Sequence, residues 1–464
     1  MVRGGTQAEV KVRDVLAQVL ASPSLRRLQL AWLIGIAAEK AFLVALLVYA
    51  YDIGGVLAVG VFTMLSTLPS AIFGPILSSV FESFAPARVL LGLHLSRAAM
   101  VALPALAIGL DLGLGIVVGA TIAEGVLTRQ HTAFTRALLP ALARTPDELI
   151  AGNAVTSLGE AAGALVGPAM AGAALVIGGP TLGLGVAVAA YLVAAVLVLS
   201  LQVATVGRAA SEGISDRLLE ILGGFGALAR HRSAGLLVSI FIIQVVVRGL
   251  LTVLMVSAAI ELLDIGESGV GYLNAAIGAG GLLGAVLAVT MLVGRSVSLS
   301  FALSLATWGL PIAIIGIVPD PALAFVMAGI IGAANASIDV AGYTLLARSV
   351  PNQVRGRVFG VLQSLVGLGL AAGALVAPVL VGWLGLPGAA DRDRAHPAGG
   401  GPGRLPRRAP RRGVGNPAGA RAGGHARDAD VRAVAVDLAR AARREPGSRV
   451  VRRRRASHHP GRTG

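Results

Sequence analysis

Apolar runs of twenty or more residues, separated by short polar breaks, fill the chain from residue 28 to residue 386. A helix needs about 20 mostly apolar residues to cross about 30 Å of hydrocarbon. Eleven stretches meet that length: 28–51, 55–80, 88–110, 112–136, 151–177, 180–203, 234–259, 269–293, 297–318, 321–345 and 357–386. The breaks alternate in charge. The leader and the loops after spans 2, 4, 6, 8 and 10 carry the arginines, among them Arg26, Arg27, Arg88, Arg144, Arg208, Arg232, Arg295, Arg348 and Arg355. The loops after spans 1, 3, 7 and 9 carry only acids: Asp52, Asp111, Glu261, Asp264, Glu267 and Asp320. Positive charge marks the cytoplasmic side, so the N-terminus is expected there. The first run follows a polar 27-residue leader and holds Glu39-Lys40 at its centre, which argues against a cleaved signal peptide.

The runs fall into two sets. Residues 162–168 read AGALVGP and residues 372–378 read AGALVAP, each following a basic-side turn, about 210 residues apart. That offset equals one six-helix half and predicts two parallel repeats related by an axis along the membrane normal. The expected organisation is a leader (1–27), a six-helix half (28–203), a cytoplasmic linker with a surface helix near 218–229 (204–233), a second half with five recognisable helices (234–387), and a tail (388–464).

Composition agrees. Apolar residues make up 55% and charged residues 14%, with a mean hydropathy of +0.79, which excludes a soluble or disordered chain. The 62 glycines suit close-packed membrane helices. There is no cysteine, which removes disulfides, thiolate metal sites and a cysteine nucleophile. No metal-binding spacing, nucleotide loop or hydrolase elbow occurs, so no cofactor, metal or catalytic residue is expected and the chain does not read as an enzyme. The net charge of +15 suggests a nucleic-acid binder only until it is localised: residues 388–464 hold 19 Arg against 6 acids, and the preceding chain is nearly neutral.

The segments at 38–55 (AEKAFLVALLVYAYDIGG), 138–155, 159–172 (GEAAGALVGPAMAG), 269–285 and 339–361 resemble the major facilitator superfamily over about residues 25–387. The stretch with Gly159, Gly163, Gly167 and Pro168 looks like the helix 5 motif of its antiporter branches. The family's loop 2–3 signature is degraded in GPILSSVFESFAPAR (74–88): Glu82 and Arg88 stand near its acidic and basic positions, and the central Arg is missing. The resemblance implies an all-α polytopic fold of two six-helix halves, with helices 1, 4, 7 and 10 lining a central cavity and the twelfth helix missing or disrupted.

Charges in mid-membrane are costly and usually face partners or water. Glu39 on helix 1 and Glu124 on helix 4 are the candidates for proton exchange, with Arg248 as counter-ion and Gln244 beside it on helix 7. Fixed ion pairs are the alternative for both carboxylates. Arg97, Glu160, Asp339 and Arg348, with Glu82 and Arg88, are gate or ion-pair candidates, Asp339 being expected to meet Arg348. Lys40 points about 100° away from Glu39 and is not an automatic partner. Asn274 is expected to bond between helices, and Gly278, Gly280, Gly281 and Gly284 to form a packing face.

The tail fits none of this. It reads either as an arm for anionic lipid or nucleic acid, or as a frameshift product. The second reading is preferred, because permitted codons shifted by one base turn 388–400 into an apolar helix. Further on they yield a segment resembling the entry of cyclic-nucleotide-binding domains fused to some actinobacterial facilitator permeases. The function expected is secondary active transport: a proton-coupled, monomeric exporter of a small molecule in the bacterial plasma membrane, with no nucleic-acid partner. A facilitator-fold membrane sensor is the alternative.

Overall fold

The structure, a computed structural model, describes residues 19, 21–81, 84–201, 223–226, 228–292 and 297–384. The leader before residue 19, Glu82, most of the inter-half linker and the whole tail lie outside the described residues. The described chain is helical, and seven of its helical runs are long and apolar enough to cross a membrane. Two of these are 52 and 54 residues long. At 1.5 Å per residue such a run would reach about 80 Å, well over twice the hydrocarbon thickness. Each is broken once. Pro23–Phe81 leaves helical geometry at Gly54 and Gly55, and Pro146–Leu199 leaves it at Gly178 and Gly179. The two breaks share one conformation: Gly55 has φ 58°, ψ −151° and Gly179 has φ 62°, ψ −162°. That region is open to glycine and closed to residues with a Cβ.

The breaks divide the runs into α1 (23–53) and α2 (56–81), and α5 (146–177) and α6 (180–199). Between them lie α3 (Pro86–Leu110) and α4 (Leu114–Leu142). The second half holds α7 (Arg232–Ser257), which ends in a π turn at Ala258–Leu262, α8 (Gly266–Leu292), α9 (Val297–Ile317), α10 (Pro321–Ser349) and α11 (Asn352–Leu384). These helices coincide with the eleven expected stretches, and the seven apolar runs account for all of them but α4 and α8. The helix starts are written locally. Thr145 accepts from the Glu148 N–H at 3.1 Å with Pro146 behind it, and Asp320 accepts from the Leu323 N–H at 2.7 Å with Pro321 behind it. Pro168 and Pro378 sit inside helices without interrupting them.

The halves meet along two helix pairs, α5 with α8 and α2 with α11. A Cβ on Gly271 of α8 would lie 2.6 Å from the Pro168 carbonyl oxygen of α5. A Cβ on Gly60 of α2 would lie 2.6 Å from the Ala374 carbonyl oxygen and 2.9 Å from Pro378 Cγ of α11. Moving both partners of one contact on by a half gives the other, so Pro168 and Pro378 occupy equivalent places about a two-fold axis. On α5, Gly159, Gly163 and Gly167 face Trp32, Ile36 and Ala37 of α1, and Gly278, Gly280 and Gly284 of α8 face α5 and α10. Such spacing lets backbones touch. Large apolar side chains turn outward: Ile177 is 79% exposed, Leu310 65% and Trp383 86%. Polar and charged residues are buried instead, among them His94, Arg97, Glu124 and His131. This inversion fits a lipid solvent, in which the apolar surface faces hydrocarbon.

Candidate functional site

In the first half the centre is Arg97, which is wholly buried on α3. Its Nε and Nη2 donate to Glu124 Oε1 on α4 at 2.9 and 2.7 Å. Nη2 also reaches Thr128 Oγ1 at 2.9 Å and Glu39 Oε2 on α1 at 3.3 Å. The guanidinium lies 4.5 Å from the centroid of the Tyr191 ring on α6, and the Tyr191 hydroxyl donates to Glu124 at 3.1 Å. Glu39 in turn accepts from Lys40 Nζ at 2.9 Å. Four charges of alternating sign therefore run from the buried core to Lys40, whose side chain is 37% exposed. Charged groups at mid-membrane depth usually face partners or a water-filled cavity. Beside this chain, His94 and His131 pack edge to face at 4.8 Å, and His131 stacks on Trp32 at 5.1 Å. Neither imidazole has a hydrogen-bond partner among the described residues.

The second half has its own cluster. Arg248 on α7 donates to Asn335 Oδ1 at 2.9 Å and pairs with Asp339 at 3.4 Å on α10. Gln244 donates to the same Asn335 oxygen at 3.0 Å. The Arg248 and Asp339 side chains are 32% and 39% exposed. Moved on by one half, Glu39 falls beside Arg248 and Glu124 beside Asn335, so the two clusters sit at equivalent depths.

Several expectations are corrected. Arg248 is not the counter-ion of Glu39 or Glu124: Arg97 holds both. Arg97, expected as a gate or ion-pair residue, is found in an ion pair, mid-helix in the core. Asp339 does not meet Arg348. Nine residues turn a helix by about 900°, which puts Arg348 on the opposite face of α10, while Arg248 approaches from α7. Lys40 does bond Glu39, because its long side chain bridges the angle between neighbours. Asn274 bonds the Val270 carbonyl of its own helix rather than another helix. Glu160 reaches Arg136 only at 4.0 Å with both side chains more than half exposed, a pair worth little. Arg88 is exposed at the start of α3. Glu82 lies outside the described residues, so the degraded loop 2–3 relay is not described.

The ends of the bundle differ. At the acidic end the Tyr51 hydroxyl of α1 donates to Glu261 in the π turn after α7, joining the halves, and Ser257 adds a bond to Glu261 at 3.2 Å. At the basic end a cavity of about 570 Å³ opens against α10 and α11. Sequence reasoning passed over Tyr51, His94, His131, Tyr191 and Asn335. A signal for part of the set exists: Glu124, Thr128, His131 and Thr135 recur on one face of α4, and His94 and Arg97 share a face of α3.

No protein-family model matches the chain, and no curated protein matches it in sequence. Solved structures do match. The nucleoside transporter NupG superposes with a TM-score of 0.59 at 14% identity, covering 77% of this chain and 91% of that one. A bacterial homolog of the human lysosomal transporter Spinster, in an inward-facing, unoccupied conformation, gives 0.58 at 16% identity, covering 80% and 84%. A D-xylose-proton symporter gives 0.56 at 14% identity, covering 78% and 90%. At such identities the likeness establishes the fold, which is that of the major facilitator transporters.

Proposed function

We propose that this chain, which has the major facilitator fold, is a proton-coupled secondary transporter that exports a small molecule by alternating access. The observation that carries the reading is the contrast between the two ends. The halves are joined at the acidic end through Tyr51 and Glu261, and at the basic end an open pocket lies on α10 and α11 of the second half. With the arginine-rich loops in the cytoplasm of a bacterial cell, that pocket faces the compartment from which an exporter loads. Rocking of one half on the other about the α5–α8 and α2–α11 seams then exchanges access.

Glu39 is the proton-exchanging carboxylate in this reading. It stands between Arg97, which is out of reach of solvent, and Lys40, which is not. Protonation of Glu39 releases Lys40 and leaves Arg97 to Glu124 alone. Glu124, held twice by Arg97 and once by Tyr191, positions Arg97 rather than shuttling protons. Arg248, Asp339, Asn335 and Gln244 form the facing wall that contacts cargo. The chain acts as a carrier, without covalent chemistry.

The test uses inverted membrane vesicles with an imposed pH gradient and a pH-sensitive dye. A small-molecule library that includes a nucleoside, a dipeptide and D-xylose is screened for compounds that dissipate the gradient. At least one compound should do so with the native chain and fail with Glu39→Gln at equal membrane insertion. If every active compound works equally well with Glu39→Gln, coupling through that carboxylate is wrong. If none works with the native chain, proton-coupled transport is wrong.

A further inference from the structure

The cavity at the basic end is lined by Tyr343, Thr344, Ala347 and Arg348 of α10 and by Arg355 and Phe359 of α11. Its volume of about 570 Å³ falls within the range of small-molecule sites, about 300–1,000 Å³. None of these six residues is acidic, and two are arginines. The nearest carboxylate along α10, Asp339, is engaged by Arg248. The pocket therefore keeps two positive charges, Arg348 exposed and Arg355 half-buried, together on one open face. Arg355 Nε is buried and has no hydrogen-bond partner among the described residues, so part of its donor set is unsatisfied. Beside the arginines, the Tyr343 and Phe359 rings stack at 5.9 Å with 20° between their planes, backed by Phe241 at 5.5 Å from Tyr343.

We propose that this cavity is an anion-binding subsite for an organic anion with a flat ring. Its carboxylate or phosphate is held between Arg348 and Arg355, and its ring lies on the Tyr343–Phe359 shelf. Guanidinium groups offer paired donors that match such oxyanions. The aromatic faces then discriminate a ringed anion from inorganic phosphate. As an entry subsite for cargo, its role rests on the transporter reading.

The test measures equilibrium binding of 1-naphthoate, followed by its own fluorescence, to the purified full chain in neutral phosphatidylcholine nanodiscs. The neutral analogue 1-naphthalenemethanol and inorganic phosphate serve as comparisons. Saturable naphthoate binding is expected, at least tenfold tighter than either comparison. Arg348→Gln and Arg355→Gln should each weaken it about tenfold or more, and Phe359→Leu severalfold. Arg348 is exposed, so its variant tests the idea even if Arg355→Gln fails to fold. Equal binding of the neutral analogue, or unchanged affinity in Arg348→Gln, overturns the subsite. A second arm adds phosphatidylglycerol to the nanodiscs. Unchanged naphthoate affinity supports a soluble ligand, and loss of binding assigns the arginines to a lipid headgroup and overturns the cargo role. No gradient is involved, so the two readings fail separately: transport without naphthoate binding sinks the subsite alone, and binding without transport sinks the transporter alone.

Discussion

Replacing Arg97 by Gln removes the cation that holds Glu39 and Glu124 together. Four hydrogen bonds go, at 2.7, 2.9, 2.9 and 3.3 Å, along with the Tyr191 ring contact. The larger effect is what remains: Glu124, 3% exposed, with no cation against it. Removing one partner of a buried pair costs about 3–5 kcal/mol, most of it the penalty of the charge left behind. Glu124→Gln strands Arg97 less completely, since Glu39 remains, and about 2–3 kcal/mol is expected, typical of losing hydrogen bonds to a charged group. In the double variant neither charge is stranded by the other's loss. Its cost should fall short of the sum by about 2 kcal/mol or more. The assay is reversible unfolding in mixed micelles with increasing dodecyl sulfate, followed by far-UV circular dichroism, on native, single and double variants. Independent sites add to within about 0.5 kcal/mol. Additivity at that level would show that the four-charge chain is not a coupled unit, and both the geometry and the positioning role of Glu124 would be withdrawn.

Three further outcomes are expected. Gly60→Val and Gly271→Val occupy equivalent seams and should each cost about 1–3 kcal/mol through overpacking; in the same unfolding assay, a large loss in one and none in the other would break the two-fold equivalence. Tyr51→Phe should open the acidic end about ten- to a hundredfold more often, since a hydrogen bond to a charged group is worth about 1.5–3 kcal/mol. The native chain has no cysteine, so spin labels on an introduced pair across the ends of α1 and α7 report this directly, and an unchanged distance distribution counts against the latch. Arg248→Gln, whose pair with Asp339 is half-exposed and long, should change stability by less than about 1 kcal/mol while abolishing transport; a collapse in stability would make it structural.

The helices were legible because lipid imposes a length and loops impose a charge pattern. Even the double-glycine turns at 54–55 and 178–179 coincide with expected breaks. Pairing between helices was less legible. Glu39 and Glu124 stand out in any sequence as mid-span carboxylates, but which cation meets them depends on rotations about helix axes that periodicity does not fix. Arg97 was legible as a gate or ion-pair charge, but its face of α3, which selects Glu39 and Glu124 as partners, was not. Asp339 and Arg348 looked like partners because they are close in sequence, although nine residues place them back to back. The polar stripe on α4 was readable at Glu124, Thr128, His131 and Thr135 and marks the helix that carries the buried network. Tyr191 could not be read at all, since a single tyrosine in an apolar span has no sequence partner.

The glycine turns have a consequence for how the protein meets its surroundings. At the acidic end the helices are joined by residues 54–55, 111–113, 178–179, 263–265 and 318–320, never more than three at a time. Within these five links there is almost no chain for an antibody or a protease to grip, and an epitope inserted at 54–55 or 178–179 would have to unwind a helix or replace a glycine held at positive φ.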